Sequence, residues 1–293
     1  MKLSSIVCIA AIFIVQSCSK KTNTTPIIPT VKKINFIFKF DSTQIRLDGF
    51  GNPTTMPAGH AGESPRFNLM SAHYVELAPN QFTALGSGDV LYHAPEVTTG
   101  GLNAIDFTKA HAVGNNKVFL SVPITSVTPG TYNWLRVSLA YQNYNVHVNS
   151  GGYRIDGTLA SFIGFRTYLS SYKVKDSTVT VNSNKSQGYW AYEGKIPGYG
   201  FVSQGQAPAG ATTVPNPLAA TSPIPAGSCV VTGQFQTPLT VTGSETGDIN
   251  ISVSLSTNKS FEWTDNDGNG QYDPSLGNQV VDMGIRGMIP KKL

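Results

Sequence analysis

Apolar residues along this chain recur at every second position in short runs, and no stretch carries the 3.6-residue period of an amphipathic helix. INFIFKF sets Ile34, Phe36, Phe38 and Phe40 on one side of an extended segment. RFNLMSAHYVEL does the same with Phe67, Leu69, Ser71, His73, Val75 and Leu77. Alternation of this kind predicts half-buried strands. KVFLSVPI and TPGTYNWLRVSLAYQ follow, with Pro129-Gly130 as the turn between them. YNVHV and YRIDGTLASFIGFRTYLSSYKV are separated by NSGG, a hairpin signal because glycines accept the positive φ angles of a tight turn. STVTVNS, GYWAYEG, CVVTGQF, LTVTG, DINISVSLS, KSFEW and QVVDMGI continue the series.

Between about Pro197 and Gly227 the chain is dominated by Pro, Gly, Ala and Thr. A structureless loop of this length is uncommon inside a compact domain. It is either a linker to a small C-terminal domain or an excursion over the surface of one domain. Strands distant in sequence pair readily in Greek-key sandwiches. The expectation is therefore an all-β fold, a Greek-key-like β-sandwich over residues 32–293, with a long Pro/Gly-rich loop at about 197–227.

The first residues read differently. MKLSSIVCIAAIFIVQSC begins with the basic Lys2 and is apolar from Ile6 to Val15, too short for a permanent span and of signal-peptide length. VQSC places Val15 three positions, and the small Ser17 one position, before Cys18. This resembles the bacterial lipobox, which implies a signal peptide at 1–17 and a lipid on Cys18. Several acyl chains, at about 0.8 kcal/mol per buried CH₂, would anchor the protein stably to a membrane. Residues 18–31 are polar, Thr-rich and broken by Pro26 and Pro29, and read as a disordered tether. Ser19 resembles the residue that follows the cysteine in outer-membrane lipoproteins. Lys20 and Lys21 depart from the acidic run of the surface-export signal in Bacteroidota lipoproteins. The expected location is the cell envelope, on the periplasmic side of an outer membrane rather than the cell surface.

Composition agrees with an exported all-β protein: only 13% of residues are charged, beside 29 glycines and 18 prolines. The net charge is +4, and the basic pairs Lys20-Lys21, Lys32-Lys33 and Lys291-Lys292 do not cluster, so nucleic-acid binding has no support. On this reading Cys8 would leave with the signal and Cys18 would carry the lipid, so no intramolecular disulfide involving Cys229 is expected. Its apolar neighbours mark it as a buried small hydrophobe.

The densest run of oxygen-bearing side chains is DNDGNGQYD, residues 265–273. Alternate residues of a curled loop can surround calcium, which takes six to eight oxygens. Asp265, Asp267 and Asn269 would offer side chains, Gln271 a carbonyl and Asp273 a further contact, with Gly270 at the sharp turn. The order resembles the DxDxDG loops of EF-hands, dockerins and thrombospondin type 3 repeats. It departs from an EF-hand at the twelfth position, where Leu276 replaces the bidentate glutamate, and Pro274 blocks the exiting helix. Glu262 and Asp282 are candidates to close the sphere from neighbouring strands. The expected role of calcium is structural; a plain hairpin loop is the alternative.

Imidazole suits copper and zinc, and His60, His73 and His93 are the candidates for such a site, although their spacing matches no local motif. Catalytic signatures are missing from the sequence. Glu63, Glu76, Glu96 and Glu193 could supply the paired carboxylates of a glycoside hydrolase. Aromatic residues crowd the middle of the chain, and GYWAYEG offers Tyr189, Trp190 and Tyr192 for stacking on a glycan or a protein partner. In a strand Tyr189 and Trp190 must point to opposite faces.

VFLSVPITSVTPGTYNWLRVSLA is similar to the strand, Pro-Gly turn and strand unit of Bacteroidota lipoprotein sandwiches and of the copper-binding domains of methanobactin-partner proteins. The resemblance implies the architecture and assigns no residues. The expectation from sequence is a lipid-anchored, non-catalytic envelope protein that binds a glycan or protein or has a structural role. A copper or zinc binder and a hydrolase are the alternatives.

Overall fold

The period-two pattern becomes strand almost throughout a computed structural model that describes residues 31–211, 222 and 224–293. Cys18 and the expected signal peptide and tether, residues 1–30, lie outside the described residues. The first strands are β1 (Lys33–Asp41), β2 (His60–Glu63), β3 (Arg66–Ala78), β4 (Asp89–His93), β5 (Glu96–Val97), β6 (Ala104–Asp106) and β7 (Ala112–Val113). Then come β8 (Lys117–Pro123), β9 (Gly130–Ser150), β10 (Tyr153–Phe162), β11 (Arg166–Lys173), β12 (Thr178–Ser186), β13 (Tyr189–Ile196) and β14 (Tyr199–Gln206). The last are β15 (Cys229–Val241), β16 (Ile249–Ser256), β17 (Phe261–Thr264), β18 (Val280–Met283) and β19 (Met288–Lys292). Helical geometry among the described residues is confined to short 3-10 turns such as Pro274–Leu276.

One layer is the sheet β19-β16-β1-β8, in which β1 and β16 run parallel. The other is β14-β13-β10-β9-β3-β4, with β15 added to β9 and β7 to β3. Between them lies the core. Ile34, Phe36 and Phe38 of β1 and Ile251, Val253 and Leu255 of β16 are fully buried in one cluster with Val75, Leu77, Leu135, Val137 and Leu139 of β3 and β9. This is the face-to-face packing of a β-sandwich. The C-terminal strands complete both sheets, β16 beside β1 and β15 beside β9, so residues 31–293 form one compact unit. Two smaller sheets, β12-β11-β6-β5 and β18-β17-β2, extend it.

β9 is the spine. The segments TYNWLRVSLAYQ and YNVHV are one continuous strand, whose first half pairs with β15, whose second half pairs with β10, and whose other edge carries β3. Gly151 and Gly152, at φ 58° and 81°, make the two-residue turn that returns the chain into β10. Pro129-Gly130 does not close a hairpin: β8 belongs to one layer and β9 to the other, so this connection crosses the sandwich.

Two further expectations need correction. The single apolar face drawn for β3 is interrupted by three register shifts against β9, which leave Leu69 exposed and bury Met70. The supposed excursion from Pro197 opens instead with a tight turn and β14, whose eight residues all pair with β13. Its later part, 212–221 and 223, lies outside the described residues.

Candidate metal centre

β3 and β4 pair with Tyr74 opposite His93, which places His73 one residue away on β3. Past His93 the chain leaves the large sheet through Ala94-Pro95 and starts β5 at Glu96. Proline keeps Ala94 extended, and the Ala94 amide donates to the His73 carbonyl at 2.8 Å. The turn therefore folds back over His73. One ligand atom from each of His73, His93 and Glu96 lies within 4.8 Å of the others, and among the described residues this is the one such group of His, Cys, Asp or Glu.

Glu96 Oε1 lies 2.8 Å from His73 Nε2 and 3.3 Å from His93 Nε2. Its second oxygen, Oε2, accepts a 2.6 Å hydrogen bond from Asn103 Nδ2, which leaves Oε1 turned toward the imidazoles. His73 is fully buried, edge-on to Tyr74 and 5.4 Å from the Phe165 ring. His93 stacks on Tyr74 at 4.2 Å, yet its side chain is 44% exposed. The group thus has a buried end and an open end.

Burial pushes the His73 imidazole down to about 4 against the pull of Glu96, so it is neutral at pH 7. Burial would raise Glu96, but the hydrogen bonds from Asn103, His73 and His93 outweigh it and hold the carboxyl below its ordinary value. A neutral imidazole beside an ionised carboxylate is the protonation state that metal binding requires. An ion with bonds of about 2.0–2.1 Å in tetrahedral geometry separates its ligands by roughly 3.3 Å. The observed separations from Oε1 need an opening of only a few tenths of an ångström on the His73 side. His73 Nδ1 is buried with no hydrogen-bond partner among the described residues. An imidazole ligating through Nε2 therefore lacks the outer acceptor that usually fixes a metal-bound histidine.

The structure brings together two of the three histidines expected from sequence. His60 is elsewhere, on β2, with Nδ1 2.5 Å from Glu262 Oε1. Glu96 takes the third place. Its signal was the three-residue spacing in HAPE; nothing in the sequence pointed to Asn103.

The other expected sites fall as follows. Asp265 Oδ2 accepts from the Gly270 amide at 3.0 Å, Asn269 bonds Asp267 at 2.5 Å, and the Gln271 carbonyl accepts from Asn278 at 3.0 Å. Asp273 caps the 3-10 turn through the Ser275 amide at 2.9 Å. The three aspartates are thus spread along a hairpin loop held by its own bonds, although Asp265 Oδ1 is buried without a partner among the described residues. Glu262 and Asp282 do not close this loop. Glu262 is bound by Arg46 and His60, and Asp282 by Arg286, inside the protein. Tyr189 is buried in a separate aromatic cluster and its hydroxyl bonds Gln204, so it presents no face to a ligand. Trp190 and Tyr192 point to the opposite side and line a cavity.

The carboxylates considered for hydrolysis are dispersed in structural roles. Glu63 bonds His147, Glu76 accepts from the Gly86 and Gly88 amides, and Glu193 accepts from three consecutive amides, 175–177. Cys229 is buried on β15. Comparison with protein-family models, with curated proteins and with solved structures gives no match.

Proposed function

We propose that this chain is an exported envelope protein whose folded part binds one transition-metal ion, copper or zinc, at His73, His93 and Glu96. The observation that supports this reading is the convergence of two imidazoles and a carboxylate at the edge of the large sheet, with Asn103 orienting the carboxylate. Two nitrogens and one oxygen favour copper or zinc over calcium or magnesium, which take oxygen ligands. The missing acceptor at His73 Nδ1 weakens the site for either ion, and the general affinity order of nitrogen sites places copper above zinc. Three protein ligands with an exposed His93 leave a position open, unlike a closed structural site. That suits reversible holding or transfer of the ion. The leader-like residues 1–17 and the lipobox-like VQSC support an anchor at Cys18 that would place this site in the envelope. A separate structural calcium in the 265–273 loop is supported by the orphaned Asp265 Oδ1.

Calorimetric titration of the chain carrying Cys18→Ser, which prevents lipidation, tests the proposal. One equivalent of copper(II) or zinc(II) is expected, with Glu96→Gln weakening it at least tenfold. Equal affinity in the two proteins would remove the reading.

A further inference from the structure

The cavity lined by Trp190 and Tyr192, of about 590 Å³, plays no part in the metal centre. Its floor is the face of β9, β10, β13 and β14, and its opposite wall is β17, β18 and the end of the 265–273 loop, carrying Phe261, Tyr272 and Met283. Two glycines shape the floor. Trp190 pairs across the strands with Gly205, where an added Cβ would sit 2.5 Å from the indole; at Gly157 it would meet the Tyr192 ring at 2.2 Å. Both rings therefore lie across glycine α-carbons; Tyr192 is buried there, and Trp190, half-buried, keeps part of its surface open. Phe201 continues this aromatic floor beside Tyr192.

No side chain lining the cavity is charged. The polar groups are neutral, and Ser203 and Gln279 are exposed to solvent. Cavities of this size enclose a drug-sized molecule, and an apolar wall with a few polar groups sets its orientation. A buried charge without a counter-charge would be expelled. An aromatic floor rewards flat ligands through stacking.

We propose that this cavity binds an uncharged small molecule with a flat apolar body, stacked on Trp190, with its polar edge toward Ser203 and Gln279. The proposal is independent of the metal centre.

The probe is N-phenyl-1-naphthylamine, a flat neutral fluorophore, titrated into the Cys18→Ser chain. The expected result is saturable binding of one equivalent, at least tenfold weaker in Trp190→Ala. The anionic 8-anilinonaphthalene-1-sulfonate should bind the parent chain at least tenfold more weakly than the neutral probe. Ser203 is exposed, so Ser203→Lys leaves the core intact and should narrow that preference at least fivefold. Three results would overturn the proposal: no saturable binding of the neutral probe, Trp190→Ala binding as the parent does with an unchanged circular dichroism spectrum, or a preference unmoved by Ser203→Lys. Binding of a neutral oligosaccharide in place of the naphthylamine would likewise reject the apolar ligand in favour of a glycan.

Discussion

Glu262 on β17 lies directly across from Asp282 on β18, and each buried carboxylate is matched to its own arginine, Glu262 to Arg46 and Asp282 to Arg286. The pairing fixes the hairpin that carries the acidic loop at its tip. Removing one member of a buried pair leaves the other charge unsatisfied and costs roughly 3–5 kcal/mol. Because His60 still bonds Glu262, Arg46→Ala is expected to lower unfolding stability by about 3 kcal/mol, the lower end of that range, read from urea midpoints. A loss below about 1 kcal/mol, the range of exposed pairs, would show that solvent already reaches Glu262.

Burial pushes Asp282 up to about 6 from its ordinary 3.8, despite Arg286. A raised folded value means the contribution to stability is complete below the ordinary value and is lost as pH rises through the folded one. Asp282→Asn should thus flatten the fall in stability between about pH 4 and pH 6, the window those two values bound. Parallel profiles for the two proteins would contradict the assignment.

Glu193 behaves in the opposite sense. Burial would raise it, but the amides of Ser177, Lys175 and Asp176 outweigh burial and hold it below its ordinary value of 4.5. Its contribution is present above that value and fades as pH falls through the folded one. Glu193→Ala should cost roughly 1–3 kcal/mol at pH 7 through three amides left without an acceptor. The cost should shrink in acid; a pH-independent loss would point to packing alone.

Much of this architecture was legible. Ile34, Phe36 and Phe38 alternate in sequence and are all buried, because β1 is half-buried with one face on the core. The adjacent glycines 151 and 152 marked a real hairpin. What failed has a physical cause in each case. Bulges in β3 are set by its pairing with β9, which local periodicity does not encode. β14 was hidden because its core-facing and outward positions are mostly Gly, Gln and Ser, and its Gly205 makes room for the Trp190 ring of β13. The site was half legible: imidazoles could be named as candidates, but His73 and Glu96 meet only because Pro95 turns the chain between two sheets. His60 offered the same chemistry and was claimed by Glu262.

For the acidic loop, removal of calcium by a chelator should lower the melting temperature, and Asp265→Ala or Asp267→Ala should reproduce the shift without a chelator. Tyr272 lies near the end of this loop and packs edge-on against Phe261 at 5.2 Å, so a loosened loop should also change tryptophan emission from nearby Trp263. An unchanged melt would assign the loop to its own hydrogen bonds.

The central claim is that two histidines and one glutamate ligate a single ion. X-ray absorption of the Cys18→Ser chain loaded with one equivalent of zinc(II) tests it most directly. The account predicts a nitrogen and oxygen shell at about 2.0–2.1 Å with outer scattering from two imidazoles, reduced to one in His93→Ala. An all-oxygen shell without imidazole scattering would contradict it and place the ion elsewhere.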